Sequence, residues 1–198
     1  MSEVPTFNID FDAQARVAKP WSQFPMGHRV ANVSDLIGIG TEGDIEGTTM
    51  FHRHEYEFER LINYLKTQDL PQDAKILIAP CSVGCEAFSF AMMAHAAGLF
   101  DRYPNLAIYG LDVKGEYIAA AETQHYPFRF VSSVPTKYLS YFAQTLFKTE
   151  DGERLFKISD KIAGRVTFLP AQDILDHAPA DGKRYDASAC FCLFEHLG

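Results

Sequence analysis

The fold of this chain is decided by residues 76–89, which read Ile-Leu-Ile-Ala-Pro-Cys-Ser-Val-Gly-Cys-Glu-Ala-Phe-Ser. The apolar run at the start has the length of a buried strand, and the small residues after it are typical of a tight turn. A helical pattern follows Gly84, so the unpaired N–H groups of its first turn lie at the end of the strand. This strand, turn and helix predict a place where a ligand approaches the backbone closely.

A second apolar run, residues 106–111, ends in Asp112. An acid directly after the second strand of a βαβ unit lies at the carboxyl edge of the sheet, where it can hydrogen-bond both hydroxyls of a ribose. The alternative for Asp112 is a helix N-cap for the residues from Gly115 onward. Together with the turn at Gly84, the acid predicts a nucleoside site.

Length and composition indicate one globular domain. The chain has 198 residues, 47% of them hydrophobic, and a formal net charge of −8. That length allows one substantial core, and the acidic balance argues against nucleic-acid binding because such surfaces are usually basic. The sequence has no uncharged apolar stretch of about eighteen residues and no basic-then-apolar N-terminus. We therefore expect no membrane insertion, no secretory signal and a cytoplasmic location.

The four cysteines are Cys81, Cys85, Cys190 and Cys192. They form two close pairs within apolar segments, which fits reduced thiols better than a disulfide framework. The ends of the first and fourth strands are neighbours in a doubly wound sheet, so zinc is an alternative, but buried thiols in strands usually serve packing. His52 and His54 have no third ligand nearby in the sequence, and we predict no metal site.

Two regions divide the chain. Residues 1–47 mix Pro, Gly and polar residues, with an acidic Gly-rich loop at 38–47, and are interpreted as an N-terminal arm or lid. Residues 48–198 are predicted to form the ligand-binding domain. Apolar spacing in this domain predicts helices at about 54–66, 86–97, 115–124 and 134–147, with a polar loop through 150–153.

The remaining apolar runs predict strands at 75–79, 106–111, 165–169 and 185–190. Strands that alternate with helices imply a parallel sheet with helices on both faces. We therefore predict an α/β protein with a doubly wound, Rossmann-like parallel sheet in the spatial order 3-2-1-4. The first strand is central in this order, and Gly84 and Asp112 lie at one rim.

Two blocks of sequence carry the most specific likeness to known proteins. Thr-Met-Phe-His-Arg at 49–53, followed by Phe58 and Leu61, resembles a Thr-x-Phe-Phe-Arg then Phe-x-x-Leu signature. Cys-Ser-Val-Gly-Cys-Glu-Ala-Phe-Ser at 81–89 resembles the cofactor turn Cys-Ser-Thr-Gly-Glu-Glu-Pro-Tyr-Ser. Both signatures are similar to those of the CheR-type methyltransferases, the chemoreceptor glutamate methyltransferase family that uses S-adenosylmethionine (SAM).

Two further blocks follow in the order of that family. Gly-Leu-Asp-Val at 110–113 resembles its Ala-Thr-Asp-Ile, and an Ala-rich helix and Tyr126 come next, where the family has Gly-x-Tyr. Residues 166–175 resemble its Val-x-Phe through Asn-Leu-Leu. The resemblance covers roughly residues 47–190 and implies a class I methyltransferase fold, SAM as the cofactor and S-adenosylhomocysteine (SAH) as the product.

The resemblance also implies the reaction, which is O-methylation of a glutamate on a protein, possibly a chemoreceptor-like partner. A carboxylate is ionised at neutral pH, so its attack needs positioning and partial desolvation but no general base. Arg53 is the candidate catalytic residue, because a guanidinium can hold a carboxylate while leaving one oxygen to attack. The alternative for Arg53 is a surface ion pair with an acid of its own helix.

Five cofactor-binding candidates belong to the methionine end of the implied site. Cys81 and Ser82 lie in the cofactor turn, and Gly84 permits either a tight turn or close approach of the cofactor. Glu86 is expected to contact the cofactor's amino group, or only to favour the positive end of its helix. Thr49 is expected to line the methionine end, or only to cap the helix that follows.

Two more candidates belong to the nucleoside end. Asp112 is expected to bind the ribose, as argued above. Asp173 is expected to accept a hydrogen bond from the adenine amino group, with a loop acid at a strand end as the alternative.

The sequence also departs from the family. Cys85 stands where the family has Glu, Cys-Phe-Cys at 190–192 stands where it has Cys-Arg-Asn, and His196 falls near a family Tyr. The sequence ends soon after the predicted fourth strand, whereas a class I methyltransferase has seven strands. In some members the remaining part includes a small β-subdomain that tethers the receptor. We expect either a piece of a longer protein or a strand edge covered by another chain, such as a second copy.

Three other functions remain as alternatives. A non-catalytic SAM- or SAH-binding sensor or scaffold is suggested by the loss of the Arg-Asn pair. A dinucleotide-dependent oxidoreductase would use the same strand ends, but of the expected Gly-x-Gly-x-x-Gly only Gly84 is present. An unrelated Rossmann-like interaction module would bind no nucleoside at all.

Overall fold

A computed structural model describes residues 49–149, 152–179, 182 and 184–191. The arm or lid interpreted at 1–47 lies outside these residues, as do Cys192 and His196. None of the helices in the described part is long and apolar enough to cross a membrane.

Helices and strands alternate along the described chain. The helices are α1 Glu55–Thr67, α2 Cys85–Ala96, α3 Leu99–Arg102, α4 Gly115–Thr123, α5 Phe128–Val131 and α6 Asp160–Ala163, with a 3-10 helix at Thr136–Tyr141. The strands are β1 Lys75–Ile78, β2 Ala107–Gly110, β3 His125–Pro127, β4 Phe142–Lys148, β5 Arg154–Ile158, β6 Val166–Phe168 and β7 Ala187–Ala189.

Four of the strands form the parallel sheet that the sequence predicted. Its order is β6-β2-β1-β7, and each neighbouring pair is parallel. In the register, Ile78 of β1 lies opposite Gly110 of β2, and Gly110 lies opposite Phe168 of β6. The predicted α/β class and the order 3-2-1-4 are confirmed, and β1 is central in the sheet.

The larger core cluster covers one face of this sheet. Ile76, Ile78 and Ile108 belong to it, together with residues from each of the six α-helices. Helix α2 is buried along ten consecutive residues, from Cys85 to Ala94. A helix that is apolar on nearly all sides packs in the interior, and this burial takes Glu86 into the core with it.

The other face carries a smaller cluster built on Leu77, Ala79 and Leu111. Ile174 and Tyr185, from the connection between β6 and β7, pack against it. The described residues of this connection form turns and no helix. On this face the covering is therefore a segment of loop, which brings residues 172–175 to the carboxyl end of the sheet.

The prediction of a helix over 134–147 is wrong. Only the 3-10 helix at Thr136–Tyr141 forms there, and β4 follows it directly. Strand β4 pairs with β5 and β5 pairs with β3, which makes a second, antiparallel sheet in the order β3-β5-β4. Cross-strand pairing, such as Phe142 opposite Ile158, outweighs the helical spacing of the apolar residues.

Phe168 explains why two glycines stand at the rim of the sheet. A Cβ at Gly110 would lie 2.6 Å from Cδ1 of Phe168, and a Cβ at Gly84 would lie 2.8 Å from its Cζ. The Phe168 ring also packs edge-on against Phe88 of α2, with the ring centroids 5.5 Å apart. Because neither glycine has a side chain, the Phe168 ring of β6 can pack both against the end of β2 and against the start of α2.

Replacing Gly110 by Ala is expected to destabilise the protein by about 1–3 kcal/mol, because the added methyl group overpacks the contact with Phe168. The matched control is Gly115→Ala at the start of α4, where the nearest atom to the new Cβ is 4.0 Å away. The control is expected to leave stability unchanged or slightly higher, since Ala favours a helix. Urea unfolding of both variants measures the difference, and equal midpoints would contradict the packing role of Phe168.

Candidate functional site

The site begins where the turns after β1 and β2 meet. The backbone N–H of Ser82 donates to Oδ2 of Asp112 at 2.8 Å, and the N–H of Lys114 donates to Oδ1 at 3.1 Å. The N–H of Cys81 also donates to the carbonyl of Leu111 at 2.9 Å. Asp112 therefore holds the two turns together. Helix α4 has Lys114 as its N-cap and no side-chain cap, so the N-cap alternative for Asp112 is not observed.

The carboxylate of Asp112 is buried, with 6% of the residue exposed. Burial raises the pKa of this carboxyl, and the backbone hydrogen bonds from Lys114 and Ser82 oppose the rise. The Val113 N–H also donates a hydrogen bond to this carboxylate. A carboxylate has about four acceptor positions, so three accepted hydrogen bonds leave capacity for a ribose hydroxyl.

Gly84 ends the turn in the left-handed conformation, with φ at +89°, and is the N-cap of α2. Its N–H donates to the carbonyl of Cys81 at 2.8 Å, and the Tyr126 hydroxyl donates to the carbonyl of Val83 at 2.7 Å. Ser82 also has a positive φ, at +48°, although it is not a glycine. Its hydroxyl oxygen is buried and has no hydrogen-bond partner among the described residues, so it can bond a water molecule or a polar group of a ligand.

Glu86 is the point at which the first turn of α2 meets the segment before α1. The Thr49 hydroxyl donates to Oε2 of Glu86 at 2.7 Å, and Nη2 of Arg53 lies 3.9 Å from Oε1. Burial raises the pKa of Glu86 to about 7, and the Thr49 hydrogen bond and the Arg53 charge oppose the rise. Thr49 does not cap α1, whose N-cap is His54 without a side-chain hydrogen bond.

The segment around Arg53 is fixed by its neighbours. The Phe51 ring packs edge-on against Tyr126 and Phe142, with centroid distances of 4.8 and 5.0 Å. The N–H of His52 donates to the Ser89 hydroxyl at 2.8 Å, and the His52 ring stacks on Tyr138 at 4.2 Å. Sequence reasoning missed these supports, because they join positions far apart in the chain. The antiparallel sheet thereby holds Arg53 over the start of α2.

Cys81 and Cys85 are buried thiols in and beside the turn, and the Cys190 thiol is half-buried. Burial raises the pKa of Cys81 and of Cys85 well above the ordinary value, and Cys190 shows a smaller rise from the same cause. These three are free thiols. In the described part of the chain, no three His, Cys, Asp or Glu side chains are grouped as metal ligands.

A cleft of about 120 Å³ opens beside Asp112 on the face of the smaller cluster. Asp112 and Asp173 both line it, as do Gln172 and Leu175. Asp173 is exposed, and its Oδ1 accepts the N–H of Leu175 at 2.9 Å, which leaves the other carboxylate oxygen for a ligand. Gln172 was not predicted, although it directly precedes Asp173 in the motif.

The predicted site residues thus fall into two connected groups. Thr49, Arg53 and Glu86 meet at the start of α2, and Ser82 and Asp112 meet at the strand ends. The turn 81–86 joins the groups, and the cleft extends the second group to Asp173. Asp112 can accept hydroxyl groups, Ser82 has an unpartnered hydroxyl among the described residues, and Glu86 is a buried acid beside a helix N-terminus. This combination fits a ligand made of a nucleoside and a charged amino acid.

Comparison with known proteins agrees with this geometry. The family model described as the CheR methyltransferase SAM-binding domain matches residues 47–189. A search of curated proteins found no match. The matched region is most of the 198-residue chain and includes every residue of both groups. The chain therefore belongs to the CheR methyltransferase family, and its cofactor is SAM.

Proposed function

We propose that the protein methylates the side-chain carboxylate of a glutamate on another protein. Family membership gives the coarser statement, that the domain is of the SAM-dependent methyltransferase kind. The acceptor and the activity are our proposal. The observation that carries it is Arg53, a partly exposed guanidinium that lies beside the buried Glu86 at the start of α2.

Arg53 suits a carboxylate acceptor. Its side chain is 24% exposed, and its Nη2 lies 3.9 Å from Oε1 of Glu86. A guanidinium presents several donors in one plane, so it can hold a second carboxylate that arrives from outside. Among its contacts, Arg53 lies 3.9 Å from the buried Glu86 and donates a hydrogen bond from Nε to Nε2 of His54.

The two histidines beside Arg53 are poorly arranged to remove a proton. Nε2 of His54 accepts a hydrogen bond from Nε of Arg53 at 3.1 Å. Both ring nitrogens of His52 are buried and have no hydrogen-bond partner in the described part of the chain, and burial lowers the pKa of this histidine to about 4. An acceptor that must lose a proton, such as an amine, would need a base here, and in this proposal Glu86, the carboxylate beside Arg53, holds the ammonium group of the cofactor instead. A carboxylate acceptor needs no base, which supports O-methylation.

The chain's own residues supply binding and orientation. When bound, SAM supplies a methyl group whose transfer to a carboxylate gives a methyl ester and SAH and moves no proton. Asp112 would hold the ribose hydroxyls, Asp173 would accept from the adenine amino group, and Glu86 would hold the cofactor's ammonium group. Arg53 would orient the acceptor so that one oxygen is free to attack. The turn 81–84 allows close approach along the backbone.

An exposed edge strand offers a place where the acceptor protein could dock. Leu146 and Phe147 on the edge strand β4 are 90% and 67% exposed, and an exposed apolar strand edge suits docking of a protein segment. A chemoreceptor-like acceptor, a cytoplasmic location and a second copy at the edge formed by β7 stay predictions.

A SAM- or SAH-binding domain without turnover is the second candidate, and two packing features favour it. The Cys85 thiol is fully buried at the position where the family has Glu. Phe191, in the position of the family's Arg, stacks on His54 at 4.3 Å and packs against Phe58 at 5.3 Å. Binding of SAH by a protein that forms no methylated product would support this candidate.

Incubation with labelled SAM and a chemoreceptor cytoplasmic domain tests the proposed reaction. We expect the full-length protein to give label that mild alkali releases, because a methyl ester hydrolyses there and an N-methyl group does not.

Alkali-stable label would contradict the carboxylate acceptor. If no label forms while calorimetry detects SAH binding, the second candidate replaces the first.

Asp112→Ala is expected to weaken SAH binding by about 1–3 kcal/mol, because the ribose hydroxyls lose a charged partner. The matched control is Glu116→Ala, which removes one exposed acid from the first turn of α4 and leaves the site intact. Calorimetry measures both affinities, and thermal melting checks that each variant is folded. Equal affinities in the two folded variants would remove Asp112 from the site.

The affinity for SAH is expected to fall about tenfold between pH 8 and pH 6. Glu86 must be ionised to hold an ammonium group, and with a pKa of about 7 it gains a proton over this interval. Glu86→Gln keeps the shape of the side chain, so it is expected to bind SAH more weakly at pH 8 and with little pH dependence. Calorimetry at both pH values compares the two proteins. A pH dependence that the variant retains would assign the proton to another group.

A further inference from the structure

A chain of hydrogen bonds in the connection between β6 and β7 takes no part in the site described so far. The amide nitrogen of Gln172 lies 2.8 Å from Nδ1 of His177, and Nε2 of His177 lies 2.7 Å from the Tyr185 hydroxyl. The three side chains are half-buried. They link one wall of the cleft, where Gln172 lies, to the residue that leads into β7.

Packing holds the far end of this chain against the sheet. The His177 and Tyr185 rings stack at 5.7 Å, and the Tyr185 ring contacts that of Tyr109 on β2, also at 5.7 Å. Tyr185 packs against the smaller core cluster. The backbone N–H of Gln172 donates to the carbonyl of Asp112 at 3.1 Å. Gln172 is therefore fixed both to the ribose acid and, through His177, to the sheet.

The direction of the hydrogen bonds decides which atom of its side-chain amide Gln172 presents to the cleft. A neutral imidazole has one donor and one acceptor nitrogen. With Nδ1 accepting from the Gln172 amide nitrogen, Nε2–H donates to the Tyr185 oxygen. The carbonyl oxygen Oε1 of Gln172 is then the amide atom without a hydrogen bond in the described part of the chain. If His177 were lost, the amide would be free to turn and offer its NH₂ group instead.

We propose that Gln172 reads the 6-amino group of the cofactor's adenine, and that His177 and Tyr185 are positioning residues that keep Oε1 of Gln172 toward the base. The inference rests on the SAM site and adds a determinant to it. Gln172 and Asp173 line the same cleft, and an amino group has two hydrogens, so each residue can accept one. A 6-oxo base would meet two acceptors and no donor, and the site would reject it.

The test compares SAH with S-inosylhomocysteine, which carries a 6-oxo group in place of the 6-amino group. Calorimetry on the wild-type chain gives the ratio of the two affinities. Gln172→Leu and His177→Phe are each expected to lower the preference for SAH about tenfold, and Tyr185→Phe about threefold. The double variant Gln172→Leu/His177→Phe is expected to lose no more than either single variant, because the residues act as one unit.

Two control variants distinguish recognition of the adenine base by Gln172 from a general contribution to the stability of the fold. Asp176→Asn, an exposed position in the same segment, is expected to leave the ratio unchanged. Asp112→Ala is expected to weaken both ligands equally, because both have the same ribose. Tyr185→Phe removes one oxygen and keeps the ring packing, so it is the variant least able to disturb the fold.

The outcomes distinguish this inference from the site on which it rests. Folded variants that bind both ligands with the wild-type ratio would overturn the role of Gln172 and leave the SAM site standing. Variants that weaken both ligands equally would assign these residues to structural support alone. A wild-type chain that binds neither ligand would overturn the cofactor site and the inference together.

Discussion

The hydrogen bonds from Ser82 and Lys114 to the Asp112 carboxylate are the contacts on which the rest of the site depends. They hold Ser82 in a left-handed conformation that costs a non-glycine residue about 1–2 kcal/mol. That conformation turns the chain into Gly84 and the first turn of α2. The acid that is expected to bind the ribose therefore also sets the position of Glu86, and the two ends of the cofactor site are built as one unit.

Glu86 is held in a way that favours a bound cation. Its pKa is about 7 in the folded protein and 4.5 in the unfolded chain. Between pH 4.5 and pH 7 the folded protein therefore keeps a proton on Glu86, whereas the unfolded chain has lost it. Stability from this group is therefore present below pH 4.5 and declines as the pH rises toward 7, by about 3 kcal/mol. Thr49 and Arg53 offset only part of the cost of the ionised form. An ammonium group at Glu86 would offset more, which couples cofactor binding to ionisation of the site.

Sequence predicted the parts of this molecule that local pattern determines. The apolar runs ending at Ala79 and Asp112 gave the strands, because a buried parallel strand needs an unbroken apolar run. The region 134–147 was misread, because its aromatic residues suit either a helix or a strand and only pairing with β5 decides. The bond from Thr49 to Glu86 spans 37 positions, and no pattern in the sequence encodes such a contact without the fold.

The departures from the family motif lie in packing positions rather than at hydrogen-bonded site positions. Cys85 is buried within α2, where a Glu would place a second carboxylate beside Glu86 and raise the cost of burying charge. Phe191 packs onto α1 through His54 and Phe58. Asp112 and Glu86, in contrast, keep hydrogen bonds that orient their oxygens. The groups expected to hold the cofactor are therefore intact. The substitutions at Cys85 and Phe191 are expected to affect the choice and turnover of the methyl acceptor, which cofactor binding does not determine.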